Sequence, residues 1–334
     1  MRILQQLAPL TAELTPQAPW EAKRDIIRLK WLELIGGLPS RVPVRYRILS
    51  SVAEQTHTRH HLEYDTAHGD KVMAYLLVPH EAAEPKPAVL ALHPTIDTGK
   101  DDIAVASGRP GRRYGLELVE RGYIVLAPDT ITAGERRRSG EPYFHTASFE
   151  AQHPEWSAVG KMLTDHLQGV DLLCSLPGVD AERIGAIGHS LGGYNAFFLA
   201  GVDSRVKAVA VSCGLSTFYG DPEPNRWGRR SWFSHIPRVT DALSSQSLTL
   251  DFHEIAALAA PVPFFCWIAQ QDRYMPHWKE IGEAAEELQA LYAHLGYPER
   301  FQAVIGTSGH DFPDVIRRWA YEFLDDWLRR EPPV

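Results

Sequence analysis

The sequence predicts an α/β protein: a mostly parallel central sheet with helices on both faces, an N-terminal helical extension and a lid-like insertion. Three observations predict it. Short, mostly apolar runs at residues 87–92, 123–128, 184–187, 206–211 and 263–269 suit strands buried on both faces, and 301–305 suits a final strand. Segments with apolar residues at helical spacing separate most of them. A glycine-bracketed serine, Gly188-His189-Ser190-Leu191-Gly192, joins one of these strands directly to a helix.

In chain order, residues 16–38 carry Trp20, Ile27, Trp31 and Ile35 among charges, a helical spacing stopped by Gly36-Gly37. This extension, residues 1–40, is expected to pack on the body or on a partner subunit, which leaves room for a homo-oligomer. Residues 41–334 form the main domain. Three strand-like runs follow at 42–49, 56–64 and 71–78, the last two joined by the turn Ala67-His68-Gly69-Asp70. His57, His60 and His61 fall in the second run. Alternation sends His60 and His61 to opposite faces, so a solvated strand is expected rather than a metal site. Helices are expected at 113–121, 156–176, 191–200 and 278–295. The closing helix carries Val315, Trp319, Phe323 and Trp327 every four residues. Residues 130–154 read as polar and irregular, and Arg136-Arg137-Arg138 within them as solvated charges, like Arg229-Arg230.

The chain has 334 residues, 44% hydrophobic and 23% charged, within the range of one globular α/β domain. A net charge of -8 argues against a general nucleic-acid binder, because phosphate neutralisation needs a basic surface. Cys174, Cys213 and Cys266 sit in apolar runs and read as reduced core residues. No run reaches the ~20 apolar residues of a membrane span, and the first residues carry no secretory pattern. A cytoplasmic protein without membrane contact is the expectation.

The serine turn points to chemistry. Its backbone is expected to be strained, with Gly188 and Gly192 removing side chains that would collide where strand and helix cross. Ser190 then stands clear of the sheet at the positive end of a helix. A serine hydroxyl needs a base to take its proton, and a histidine needs an anion to fix its tautomer. His310 follows the last strand by five residues, in the loop at 306–313. Asp272 follows the preceding strand by three. The order Ser190, Asp272, His310 matches the one expected on this kind of sheet. Asp129, also at a strand end, is the rival acid but precedes the serine. His189 is expected to point away from Ser190. An oxyanion needs two backbone donors. The N–H of Leu191 is one; Pro94 has none to give, so Thr95 is the second. No metal or cofactor is called for.

The long stretch 213–250 carries Trp227, Trp232 and Phe233 and is expected to act as a lid whose aromatics bind substrate. Residues about 71–328 resemble the dienelactone hydrolase-like and acetyl xylan esterase-like branches of the α/β-hydrolase superfamily. The resemblance rests on Ala91-Leu92-His93-Pro94-Thr95, Ala127-Pro128-Asp129, Gly188-His189-Ser190-Leu191-Gly192-Gly193, the segment 251–261 and Gly309-His310-Asp311-Phe312-Pro313. The segment 251–261 resembles the family's approach to the acid-bearing strand. Two departures stand out: Ser190 where dienelactone hydrolases carry cysteine, and Pro94 where relatives commonly carry glycine. The resemblance implies metal-free hydrolysis of a small-molecule carboxylic ester through an acyl-serine. Competing expectations are a peptidase of the prolyl oligopeptidase type and a catalytically silent binding protein on the same fold.

Overall fold

The computed structural model describes residues 6–12, 14–15, 19–80 and 85–329. Residues 16–18 of the expected first helix, the rest of the extension's undescribed positions and the end of the main domain after 329 lie outside these. Helix α1 spans Trp20–Ile35. It buries Trp20, Ile27, Trp31 and Ile35, the face its spacing predicts, and Trp31 meets Phe198 at 4.6 Å between ring centroids. Gly36 ends it at φ 92°, where a Cβ would stand 2.1 Å from the Glu155 carbonyl oxygen. A side chain at that position is excluded by both the backbone and the neighbour. The extension is therefore docked on the body of this chain.

Next come β1 (Tyr46–Ala53), β2 (His57–Asp65), β3 (Lys71–Pro79), β4 (Lys86–Leu92), α2 (Asp101–Ala104), α3 (Tyr114–Glu120) and β5 (Ile124–Pro128). Then follow α4 (Ala147–Gln152), α5 (Ala158–Ser175), β6 (Val179–His189), α6 (Leu191–Val202) and β7 (Val206–Ser212). The chain closes with α7 (Pro237–Ser244), α8 (Phe252–Ala257), β8 (Phe264–Ala269), α9 (Trp278–His294), β9 (Phe301–Gly306) and α10 (Asp314–Leu328). The sheet runs β1-β2-β3-β5-β4-β6-β7-β8-β9. Its first three pairings are antiparallel and the others parallel. β4, β5 and β8 are buried almost throughout, which is why they read as unbroken apolar runs. One core lies between the sheet and α1, α5, α6, α8 and α9; the other lies under α3 and α10. Each large aliphatic or aromatic side chain in these layers contributes ~1.5–3 kcal/mol by leaving water.

Local chemistry sets the element ends. Ser157 caps α5, its Oγ accepting from Gly160 N–H at 2.9 Å. Asp251 and Glu254 form a reciprocal capping box at α8. On β2, His60 Nδ1 meets Ser51 Oγ and His61 Nε2 meets Glu135 Oε2, each at 2.8 Å, while His57 is buried. Two expectations need correction. Residues 130–154 contain α4 and a 3-10 turn at Gly134–Arg136. Arg136 is not a solvated charge: its side chain is 6% exposed and pairs with Asp165 at 2.8 Å and Asp70 at 2.5 Å. Lys161, one turn before Asp165 on α5, bonds the same carboxylate. Those partners lie far from Arg136 in sequence, so the local pattern gave no sign of them.

Candidate active site

The turn between β6 and α6 holds Ser190 at φ 56°, ψ -119°. A non-glycine residue there costs ~1–3 kcal/mol and persists only when its surroundings force it. They do: Ser190 N–H donates to Ser212 O at 2.8 Å, and its carbonyl accepts from Tyr194 N–H at 3.1 Å. Strand and helix cross so closely that a Cβ on Gly188 would lie 2.1 Å from Gly192 C, and one on Gly192 1.8 Å from Leu92 O. Helix α6 is buried over most of its length and presents its N-terminus, beginning with Leu191, directly behind the serine. The glycine bracket thus acts as expected.

Asp272 lies in the loop after β8, 4% exposed. Its Oδ1 accepts from Tyr274 N–H at 2.8 Å and Met275 N–H at 3.1 Å, and its Oδ2 lies 2.6 Å from His310 Nδ1. Burial works against its charge, but the His310 hydrogen bond and the two amides prevail and hold its carboxyl below the usual range. Oriented this way, Asp272 fixes the proton of His310 on Nδ1 and leaves Nε2 free to accept. The His310 carbonyl accepts from Arg112 Nη2 at 3.0 Å, which ties the β9–α10 loop to the start of α3. The rival acid Asp129 is committed elsewhere: it is buried against Lys100 Nζ at 2.7 Å and accepts from Lys100 N–H at 2.8 Å.

Three neighbours of His310 escaped the sequence reading. The His189 ring packs on it at 4.8 Å, and His189 Nδ1 meets Ser212 Oγ at 2.9 Å. Burial pulls the His189 pKa well below its ordinary value, so it adds no like charge beside His310. Tyr274 stands edge-on to His310 at 4.8 Å. Cys213, at φ 46°, brings its Sγ within 4.8 Å of the Asp272 and His310 ligand atoms. Among the described residues Cys213, Asp272 and His310 form a trio of metal-ligating type. Burial pushes the Cys213 thiol pKa well up, and the other two side chains are bonded to each other, so the trio is built as a hydrogen-bonded pair beside a neutral thiol.

A cavity of about 590 Å³ opens over these groups. Ser190, His310, Pro94 and Thr95 line it, as do Trp227, Trp232 and Phe233 from the stretch 213–250. Trp227 and Phe233 are 2% and 0% exposed, and their rings belong to the main core; Trp232 is half-buried. The insertion thus reaches the cavity with side chains that also anchor it. Arg229 forms an exposed pair with Asp241, whereas Arg230 lies in the cavity wall over the Trp232 ring.

A mostly parallel sheet whose serine sits at a strained strand–helix turn, with a histidine–carboxylate pair on later loops, defines an α/β-hydrolase fold. Residues 72–299 match the dienelactone hydrolase family, and the chain belongs to that family of hydrolases. It is 29% identical over 305 residues to the protein YtaP of Bacillus subtilis (strain 168), covering 90% of this chain and 98% of YtaP. Its fold is similar to that of a glucuronoyl esterase from Solibacter usitatus, with TM-score 0.74 and 19% identity, covering 96% of this chain and 97% of that one. It is also similar to acetyl xylan esterase 1 from Thermoanaerobacterium sp. JW/SL YS485, with TM-score 0.61 and 16% identity, covering 91% and 93%. No helix of the described residues is long and apolar enough to cross a membrane.

Proposed function

We propose that the protein is a serine carboxylesterase acting on short-chain or sugar-borne acyl esters. The observation that carries this is the 2.6 Å bond between His310 Nδ1 and Asp272 Oδ2, in a cavity that Ser190 also lines. Ser190 Oγ attacks the ester carbonyl while His310 Nε2 takes its proton. Asp272 holds the ring and steadies the imidazolium. The N–H groups of Leu191 and Thr95 receive the developing oxyanion. His310 returns the proton to the leaving alcohol, and the acyl group stays on Ser190. Water, deprotonated by His310, then attacks the acyl carbon and releases the acid and the free serine.

Hydrolysis of p-nitrophenyl acetate by wild type and Ser190→Ala tests the reading. A drop of ~10⁴-fold or more is expected. Undiminished turnover by the variant, in a folded protein, contradicts it. Chromogenic dipeptides separate esterase from peptidase: an anilide cleaved as fast as the ester supports the second. A fluorophosphonate that leaves Ser190 unlabelled supports a silent binding protein.

A further inference from the structure

The irregular residues 307–313 carry His310 between β9 and α10, with no helix or strand of their own. A base must be held within about 0.5 Å of its working place, and a loop does this only when rigid parts bond its backbone. Three consecutive carbonyls of this loop are bonded in that way. His310 O accepts from Arg112 Nη2 at 3.0 Å, and Phe312 O from Arg317 Nη1 at 2.7 Å. Asp311 O, between them, faces three donors. Trp267 Nε1–H lies at 3.1 Å, the Cys213 thiol at 3.4 Å and, at the limit of bonding distance, the Ser212 hydroxyl at 3.5 Å. All three donor residues are buried.

A carbonyl oxygen has two lone pairs, so three donors exceed what satisfying it requires. Their positions in the sheet give them a use. His189, Ser212 and Trp267 are register partners on β6, β7 and β8, so their side chains form one row across the end of the sheet. His189 directly precedes Ser190, and its Nδ1 meets Ser212 Oγ at 2.9 Å. The Ser212 carbonyl accepts from Ser190 N–H at 2.8 Å. Asp311 directly follows His310. The row therefore runs from the neighbour of the nucleophile to the neighbour of the base, through strands rather than loops. Cys213 joins it by donating its N–H to Trp267 O at 3.0 Å. Trp267 also abuts Gly306 at the end of β9, where a Cβ would lie 2.6 Å from the indole.

Resting on the esterase reading above, we infer that Trp267 and Ser212 are positioning residues, which through the Asp311 carbonyl set the place of the His310 ring relative to Ser190. Trp267 makes the shorter bond, and Ser212 ties the histidine loop to the serine turn. Neither side chain lines the cavity, so both act on turnover rather than on substrate affinity.

Trp267→Phe, Ser212→Ala and the double variant test this on p-nitrophenyl acetate. A phenyl ring keeps much of the apolar contact but has no N–H to give. Each single variant leaves Asp311 O another donor, so the double variant should lose more than the product of the single losses. The expected result for the double variant is a fall in kcat of ~10-fold or more, with KM changed by less than ~3-fold. The proton resonance of His310 Nδ1–H, carried downfield by its short bond to Asp272 and assigned by its absence from His310→Ala, should weaken or move in step. A lowered Tm with kcat and this resonance intact overturns the inference and leaves the esterase reading standing. So does a raised KM at unchanged kcat. Should Trp267→Phe fail to fold, Ser212→Ala decides: unchanged kcat and an unmoved resonance overturn the inference. The resonance needs no substrate. Absence of Ser190-dependent turnover in wild type brings down the esterase reading, while a resonance unmoved in the variants separately brings down the positioning role.

Discussion

Asp272 and Thr95 are asked for opposite things at the scale of single residues, a side chain in one case and a backbone N–H in the other. Asp272→Asn keeps the shape of the carboxylate but donates where His310 Nδ1–H must be accepted, which favours the wrong tautomer. It should lower kcat by ~10⁴ with little change in KM, measured on p-nitrophenyl acetate. A loss under tenfold contradicts the role given to this carboxylate. With Thr95→Ala, which keeps the N–H, as the control for the lost hydroxyl, Thr95→Pro removes the proposed second oxyanion donor. A fall of ~10²–10³ in kcat is expected, with far-UV circular dichroism unchanged; normal turnover would move that donor elsewhere. Ser190, Asp272 and His310 were legible in the sequence because each sits at a fixed offset from a strand end, and strand ends are marked by apolar runs. His189, Tyr274 and Cys213 were not legible. Their closeness to His310 depends on how three loops fold back, and no local pattern encodes that.

At the scale of elements, the β6–α6 crossing holds the serine turn and the α5 ion cluster helps to hold the fold. Gly192→Ala would force a methyl to within 1.8 Å of the Leu92 carbonyl oxygen, so strand β4 and helix α6 must separate. Thermal unfolding should show a loss of several kcal/mol, of the order of ~3 or more, with activity falling in step. An unchanged Tm would mean that the crossing is looser than described. On α5, buried Asp165 is opposed by desolvation but held ionised by Arg136 and Lys161, so its folded pKa lies below the unfolded one. A depressed carboxyl stabilises the fold above its unfolded value of about 3.9 and loses that contribution as pH falls through the folded value. Asp165→Asn leaves two buried cations short of charge and should cost ~3–5 kcal/mol in urea unfolding at neutral pH. It should also flatten the decline of stability below about pH 4. A variant as stable as wild type would show the cluster to be no part of what holds α5. The sequence concealed this cluster because Arg136 stands among other arginines in a polar stretch, and solvation was the simplest local reading.

At the scale of the whole molecule, the parallel part of the sheet, its helical layers and the placement of the serine turn followed from apolar runs, helical spacing and the glycine-bracketed serine. The β2–β3 hairpin also followed, through its turn at 67–70, whereas β1 lies at Tyr46–Ala53 rather than 42–49 and its pairing on β2 did not follow. The docking of α1 did not, because its apolar stripe fits the chain's own body and a partner subunit equally well. The structure answers this with Trp31 against Phe198. The cavity over Ser190 was invisible for a related reason: its lining residues, drawn from Pro94 to His310, come together only once the fold is closed. The proposed function turns on one covalent event, the transfer of an acyl group from substrate to Ser190. Rapid acid quenching of wild type with excess p-nitrophenyl acetate, followed by peptide mass spectrometry, tests that event directly. The account predicts a single acetyl group on the peptide that carries Ser190, absent from Ser190→Ala. Steady hydrolysis with acetyl on another residue, or undiminished hydrolysis by Ser190→Ala, would contradict it.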